Sequence, residues 1–390
     1  MEINRNYFLL CMIAFLQGFV FYGPIATIYR QSRGISIYQI FLIESIFMVL
    51  MVLFEIPWGW FADRFGYKTT LVISLFLSLV SKVVFYKAYS FGFFLLERIL
   101  LALALSGMSG CDTAMLYNSI DESNSEKAFG RYYSLSTLGF LLATLSSTFV
   151  ISYSMELAAL YTIVPYGLSA AAALFLREVK AVDNERRGIV ESLKTILNNK
   201  HMLVFVLAMA FISEVSHSVI VFLNQLQYQR SGINIRYFGI ILAFMQLVSM
   251  LSAKSHVITG KIGQRKTIAG AFGVIAISCF VIAFVHTPAA SIILIAFVSA
   301  GYSLAVPISS DIQNKSITTA NRATILSAYA MVMDVVSSAV NLTIGKSANL
   351  SVQLSFEICA GIAVLALILA YKLPVRLYAG VSGLPAGRDS

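Results

Sequence analysis

Twelve stretches of about 20 or more mostly apolar residues recur along this chain, and few folds can hold such a pattern. They lie at 7–29, 35–58, 67–88, 91–118, 128–151, 155–177, 201–224, 235–257, 265–286, 288–312, 321–344 and 351–373. Each is long enough to cross a bilayer as a helix. Of the 390 residues, 58% are hydrophobic and only 12% charged, where soluble domains carry about 25% charge. No aqueous fold hides that much apolar surface, so the bilayer is the expected solvent. The first stretch, after Arg5, is too long for a signal-peptide core and is read as a retained helix.

The stretch from Glu178 to Lys200 is the one long charged connection, and it separates six predicted helices from six. The expected fold is an all-α membrane protein of twelve transmembrane helices in two six-helix halves. Residues 1–177 form the first bundle, 178–200 a cytoplasmic linker and 201–380 the second bundle. The polar tail 381–390 is set aside as a flexible appendage. The halves echo each other. Asp63-Arg64-Phe65-Gly66 follows the second helix, and Gly260-Lys261-Ile262-Gly263 follows the eighth. Gly130-Arg131 likewise pairs with Asn321-Arg322. Repeats of this kind build many transporters, with the site at the interface between them.

The net charge of +9 comes from basic residues lying between apolar segments. With the N-terminus inside, inner segments carry Arg5, Arg64, Lys68, Lys127, Arg131, Arg177 and the basic linker. Lys254, Lys261, Arg265, Lys266, Lys315, Arg322, Lys372 and Arg376 join them. Outer segments hold only Arg30, Arg33, Lys87, Arg230, Arg236 and Lys346. Both termini are therefore expected in the cytoplasm. Orientation explains the charge, and no basic run interleaved with aromatics points to nucleic acid. Cys11, Cys111, Cys279 and Cys359 fall in apolar segments without a CxxC pair. They read as small buried hydrophobes, and no metal or cofactor is expected.

Ionisable residues at membrane depth are costly, about 2.5–3.5 kcal/mol each on insertion scales, and so become functional candidates. Glu214 and His217 share a face of the seventh helix and suit a proton relay or a structural pair. Asp334 in the eleventh helix and Glu44 in the second read as carboxylates without a local partner. Arg98 and Asp112 share a face of the fourth helix, about 21 Å apart along its axis, and cannot pair with each other. Arg98 otherwise snorkels outward. Lys82 is close enough to the outer end of the third helix to snorkel too.

The run Gly59-Trp60-Phe61-Ala62-Asp63-Arg64-Phe65-Gly66-Tyr67-Lys68 resembles the loop motif of the major facilitator superfamily. Glu55-Ile56-Pro57-Trp58-Gly59 looks like the EIPTG variant of its bacterial efflux-type members, and Ser109 to Ser119 looks like that branch's fourth-helix ending. The residues themselves suggest glycine turns at Gly59 and Gly66, a helix-capping Asp63, and Arg64 and Lys68 holding the loop inside. The resemblance implies a gate formed by these residues with Glu55. It also implies a proton-coupling role for Arg98 and a cavity lined by helices one, four, seven and ten. On those helices Gln17, Tyr22, Tyr117, Phe222, Asn224, Gln225, Tyr302 and Ser309 are the substrate candidates, beside the breakers Gly18, Gly23, Pro24 and Pro307. Four features depart from the pattern: Tyr67 replaces a basic residue, Asn118 an aspartate and Ala102 a glycine, and 139–147 lacks the antiporter proline.

The implied function is a monomeric, proton-coupled secondary transporter of the bacterial inner membrane, exporting a small amphipathic organic compound by antiport. An importer or a lipid or metabolite carrier of the same fold is the alternative. No P-loop points to ATP, and no HExxH or GxSxG to an enzyme. A channel would favour a pore-lining repeat of one polar type, which is not seen.

Overall fold

The structure is a computed structural model that describes residues 5–120, 125–179, 199–317, 322–374 and 377–378. The tail 381–390 and most of the 178–200 linker therefore lie outside the described residues, as does Asn321 of the second internal echo. Helices make up the fold: α1 (Arg5–Gln17), α2 (Ala26–Ser32), α3 (Ile37–Phe65), α4 (Tyr67–Lys87), α5 (Phe91–Met108), α6 (Cys111–Tyr117), α7 (Ser125–Tyr153) and α8 (Met155–Leu174). The chain continues with α9 (Lys200–His217), α10 (Asn224–Arg230), α11 (Phe238–Ser249), α12 (Ser255–Ile262), α13 (Gln264–Phe284), α14 (Pro288–Lys315), α15 (Arg322–Leu350) and α16 (Val352–Lys372). Ten helical stretches among the described residues are long and apolar enough to cross a membrane, and a shorter apolar one runs over Ile235–Ser249.

Local chemistry sets many of the ends. Ser36 closes a capping box with Gln39 at the start of α3. Ser154, Asn199 and Ser351 accept a backbone N–H at the starts of α8, α9 and α16. Packing follows the rule for a hydrocarbon solvent, with small side chains inward and large apolar ones outward. Along α8, Ala158, Ala159, Thr162, Ser169 and Ala173 are fully buried, while Val164, Leu168 and Leu174 are exposed. In α13, Ser278 and Cys279 are buried while Ile277, Phe280 and Phe284 face out.

The described residues pack as two compact units. One is Met1–Asn184 with Val221–Gln246 and Asn341–Leu350, and the other Glu185–Ile220 with Leu247–Val340 and Ser351–Ser390. Within the first unit, Gly239 at the start of α11 lies on the backbone of Thr144, and Gly345 of α15 lies on Phe41.

Several predicted helices are interrupted. The first splits into α1, a 3-10 turn at Gly23–Ile25, and α2. Gly18 and Gly139 explain where it breaks. A Cβ on Gly18 would collide with the Ser136 carbonyl oxygen, and one on Gly139 with that of Phe15. The freed backbone groups find partners. The Gln17 carbonyl accepts from the Tyr166 hydroxyl at 3.1 Å, and the Phe21 N–H donates to Thr162 Oγ1 at 3.1 Å. Such breaks survive at membrane depth only where protein supplies partners. The fourth helix breaks at Gly110, which has φ +78°. The seventh carries a π-helical stretch over Ser218–Leu223, and the eighth tightens to 3-10 at Met250–Lys254.

The internal echo has a common geometry. α3 ends and α4 begins at Gly66, with φ +87°; α12 ends and α13 begins at Gly263, with φ +84°. Both need the left-handed freedom of glycine. Gly59, by contrast, lies inside α3 and makes no turn, because an α-helix tolerates one glycine at a cost of about 1 kcal/mol.

The close α1–α7 approach yields an expectation. Gly18→Val or Gly139→Val should destabilise the protein by about 1–3 kcal/mol through overpacking, lowering the thermal midpoint in detergent. Gly270→Ala, where nothing lies within 4 Å of the new Cβ, should leave it unchanged.

Candidate functional site

The first unit buries a chain of alternating charges. Glu44 of α3 pairs with Arg98 of α5 at 3.1 Å. Arg98 Nε is 3.7 Å from Glu97, whose same oxygen is 3.8 Å from Arg30 at the end of α2. Glu97 is 0% exposed, and among the described residues neither of its oxygens accepts a hydrogen bond. Lys82 of α4 lies beside this cluster. Its Nζ donates to the Tyr22 hydroxyl at 3.1 Å and sits over the Tyr166 ring. Tyr22 in turn stacks on Phe85, and Arg30 lies over that same ring.

Three expectations change here. Glu44 is no lone carboxylate, because Arg98 reaches it from another helix. Arg98 therefore does not snorkel outward. Lys82 does not snorkel either: it is 3% exposed and held by Tyr22. Glu97 and Arg30 escaped sequence reasoning. Arg30 reads there as an outer loop cation, and only the α2 turn carries it back into the protein. The one available signal was Glu97 beside Arg98 in an apolar run.

Asp112 does not sit within a continuous helix. It opens α6 after the Gly110 break, and accepts from the Thr113 N–H at 2.7 Å and from the Tyr132 hydroxyl of α7 at 2.8 Å. A carboxylate in a helix's first turn is favoured by the local N–H groups.

In the second unit Glu214 is 2% exposed and accepts from the Ser218 hydroxyl at 2.8 Å. Its other oxygen is 3.9 Å from His217 Nδ1, so the predicted pair shares a face. Asp334 lies near the middle of α15, half-buried. The Tyr302 hydroxyl bonds Ser213 at 3.0 Å, and Ser309 accepts from Gln313 at 3.1 Å. Pro307 lies inside an unbroken α14.

Of the predicted cavity residues in the first unit, several are engaged in holding helices together. Gln17 donates to Ser169 at 2.5 Å, and Phe222 packs against Phe41 at 5.1 Å. Asn224 accepts from the Gln225 N–H. Gln225 Oε1 accepts from the N–H groups of Thr27 and Ile28, at 2.9 and 3.3 Å, just past the break in the first helix. Tyr117 is exposed at the end of α6.

Asp63 lies in the last turn of α3, exposed. Glu178 reaches the start of α4, accepting from the Lys68 N–H at 3.1 and 3.2 Å. It lies against Gly66, where any Cβ would strike it. Arg64 stacks on Trp60 and Phe65. Glu55 is partly buried within α3, two residues before Pro57.

With this geometry in place, comparison with known proteins gives the class. The sequence model of the Major Facilitator Superfamily matches residues 7–340, and the chain belongs to that family. Its fold and family are those of a transporter. A curated relative, the uncharacterized MFS-type transporter YxaM of Bacillus subtilis (strain 168), is 26% identical over 197 residues, 48% of this chain. The match spans 49% of that relative. Among solved structures, the nucleoside transporter NupG aligns with a TM-score of 0.79 at 15% identity, covering 96% of this chain and 99% of that one. A D-xylose-proton symporter aligns at 0.73 and 13% identity, over 96% and 98%. A bacterial homolog of the human lysosomal transporter Spinster, in an inward-facing conformation, aligns at 0.77 and 14% identity, over 97% and 98%. These likenesses are in fold.

The buried cluster makes a stability prediction. Arg30→Met should cost about 3–5 kcal/mol by leaving Glu97 under-compensated. Arg30→Met with Glu97→Leu should recover much of that loss. Thermal denaturation of the purified variants would check it; equal destabilisation in single and double variants would contradict it.

Proposed function

We propose that the chain is a proton-coupled secondary active transporter that exports a small amphipathic organic compound by alternating access. It works as a monomer in the bacterial cytoplasmic membrane with both termini in the cytoplasm. The observation that carries the proton coupling is Arg98 held between two buried carboxylates, 3.1 Å from Glu44 and 3.7 Å from Glu97. A proton on Glu44 removes the nearer attraction and shifts Arg98 toward Glu97. Glu97 then holds Arg30 less strongly. Arg30 ends the short α2, whose first turn is tied to Gln225 through Thr27 and Ile28. A proton taken up at Glu44 thus loosens the tie between the broken first helix and α10, which is what a coupled gate requires.

Glu214 with His217 and Ser218 supplies a second proton-accepting group, and Asp112 with Tyr132 a third. Export as the direction rests on the likeness of Glu55 to Gly59 to efflux-type members.

The test uses purified protein in liposomes with an imposed pH gradient and a panel of amphipathic compounds. Glu44→Gln should reduce gradient-driven flux by about tenfold or more while leaving counterflow exchange intact, since the swap mimics the protonated state. Unchanged driven flux would remove Glu44 from the coupling. Glu214→Gln should likewise lose driven flux and spare exchange.

A further inference from the structure

The inner end of the first unit holds a groove of about 710 Å³ between α1 and α7, within the size range of small-molecule sites. Its α1 wall is Tyr7, Phe8, Cys11, Met12 and Phe15, spaced at one helical turn. Its α7 wall runs from Lys127 through Gly130, Arg131, Ser134 and Leu135 to Leu138. The wall is graded. Both cations lie toward the start of α7, and Ser134, Leu135 and Leu138 follow about one to two turns deeper than Arg131. Among the described residues, no carboxylate lines the groove.

Positive-inside orientation explains a cation at this level, but not its freedom. Three other inner-end cations are engaged: Arg64 stacks on Trp60, Lys315 pairs with Asp311 at 2.6 Å, and Arg265 donates to the Tyr371 carbonyl. Lys127 and Arg131 are exposed, four residues apart on one helix face, and have no hydrogen-bond or ion-pair partner among the described residues. Two like charges set side by side, with no counter-charge among the described residues, favour an anion between them. We infer that this groove binds the transported compound as an amphipathic organic anion. Its acidic head lies at Lys127 and Arg131, and its apolar body along Met12, Phe15, Leu135 and Leu138. The inference deepens the export reading above and rests on it for the word transported.

The test uses the full chain in nanodiscs of neutral lipid. Its probes are 1-pyrenebutyrate and 1-pyrenebutylamine, which share an apolar body and differ in the sign of the head. Fluorescence anisotropy should show the acid binding about tenfold tighter than the amine, with the preference weakening as salt rises. Lys127→Gln with Arg131→Gln should erase that preference, and Leu138→Trp should weaken both probes by filling the body of the groove. Equal binding of acid and amine, or a preference that survives the double substitution, would overturn the inference. Displacement of the acid by phosphatidylglycerol, with no flux of the acid in liposomes, would overturn it in favour of a lipid-headgroup site. Flux of the amine but not the acid would refute the anion while leaving export standing. Anion-selective binding that depends on both cations, with no flux of any compound in the panel, would refute export while leaving the groove's charge preference standing.

Discussion

A peptide N–H or carbonyl in hydrocarbon has no water to bond, and much of this fold follows from that constraint. It forces the membrane segments into helices, and it decides what an irregular segment requires. The break at Gly18 to Tyr22 persists because Tyr166, Thr162 and Gln225 reach the groups that the missing turn would have satisfied. Those partners come from α8 and α10, so the irregularity ties the first helix to two others. The same constraint gives the small residues their places. Glycines and alanines bring backbones close enough for dispersion to hold helices that hydrophobic burial does not drive together.

The buried charges obey a related rule at higher cost. Arg30 and Arg98 face Glu44 and Glu97 in a region largely closed to solvent, and Lys82 lies beside them on Tyr22. Three cations against two carboxylates leave a net positive charge, softened by the rings of Tyr22, Phe85 and Tyr166. Replacing such pairs by apolar residues often costs nothing in stability. Their retention fits a working role better than a structural one, and the proton reading of Glu44 draws on that. Lys127 and Arg131, without an ion-pair partner among the described residues, make the opposite case: they are exposed at a groove.

Much of the fold was legible in the sequence. Segment lengths and the charge asymmetry carried the helical membrane architecture, and the Gly66 and Gly263 turns were visible as matched motifs. The Glu214–His217 pair was legible because it depends only on helical spacing. What sequence reading missed involved partners far apart in the chain. The Lys68 N–H at the start of α4 donates to Glu178, 110 residues further along the chain. Glu44 has no local partner, yet Arg98 arrives from α5. The breakers Gly18 and Pro24 marked the first helix as irregular, but nothing in the sequence named the groups that repair it.

By itself, then, the sequence determined the solvent, the all-helical class and the family, because hydropathy and local turn chemistry act within a few residues. Tertiary structure alone decided which charges meet, which cations line the groove, and which side chains close the gaps in the backbone. Those outcomes depend on distances between helices remote in sequence, and electrostatic and hydrogen-bond energies change steeply over the 3 to 4 Å at which these partners stand.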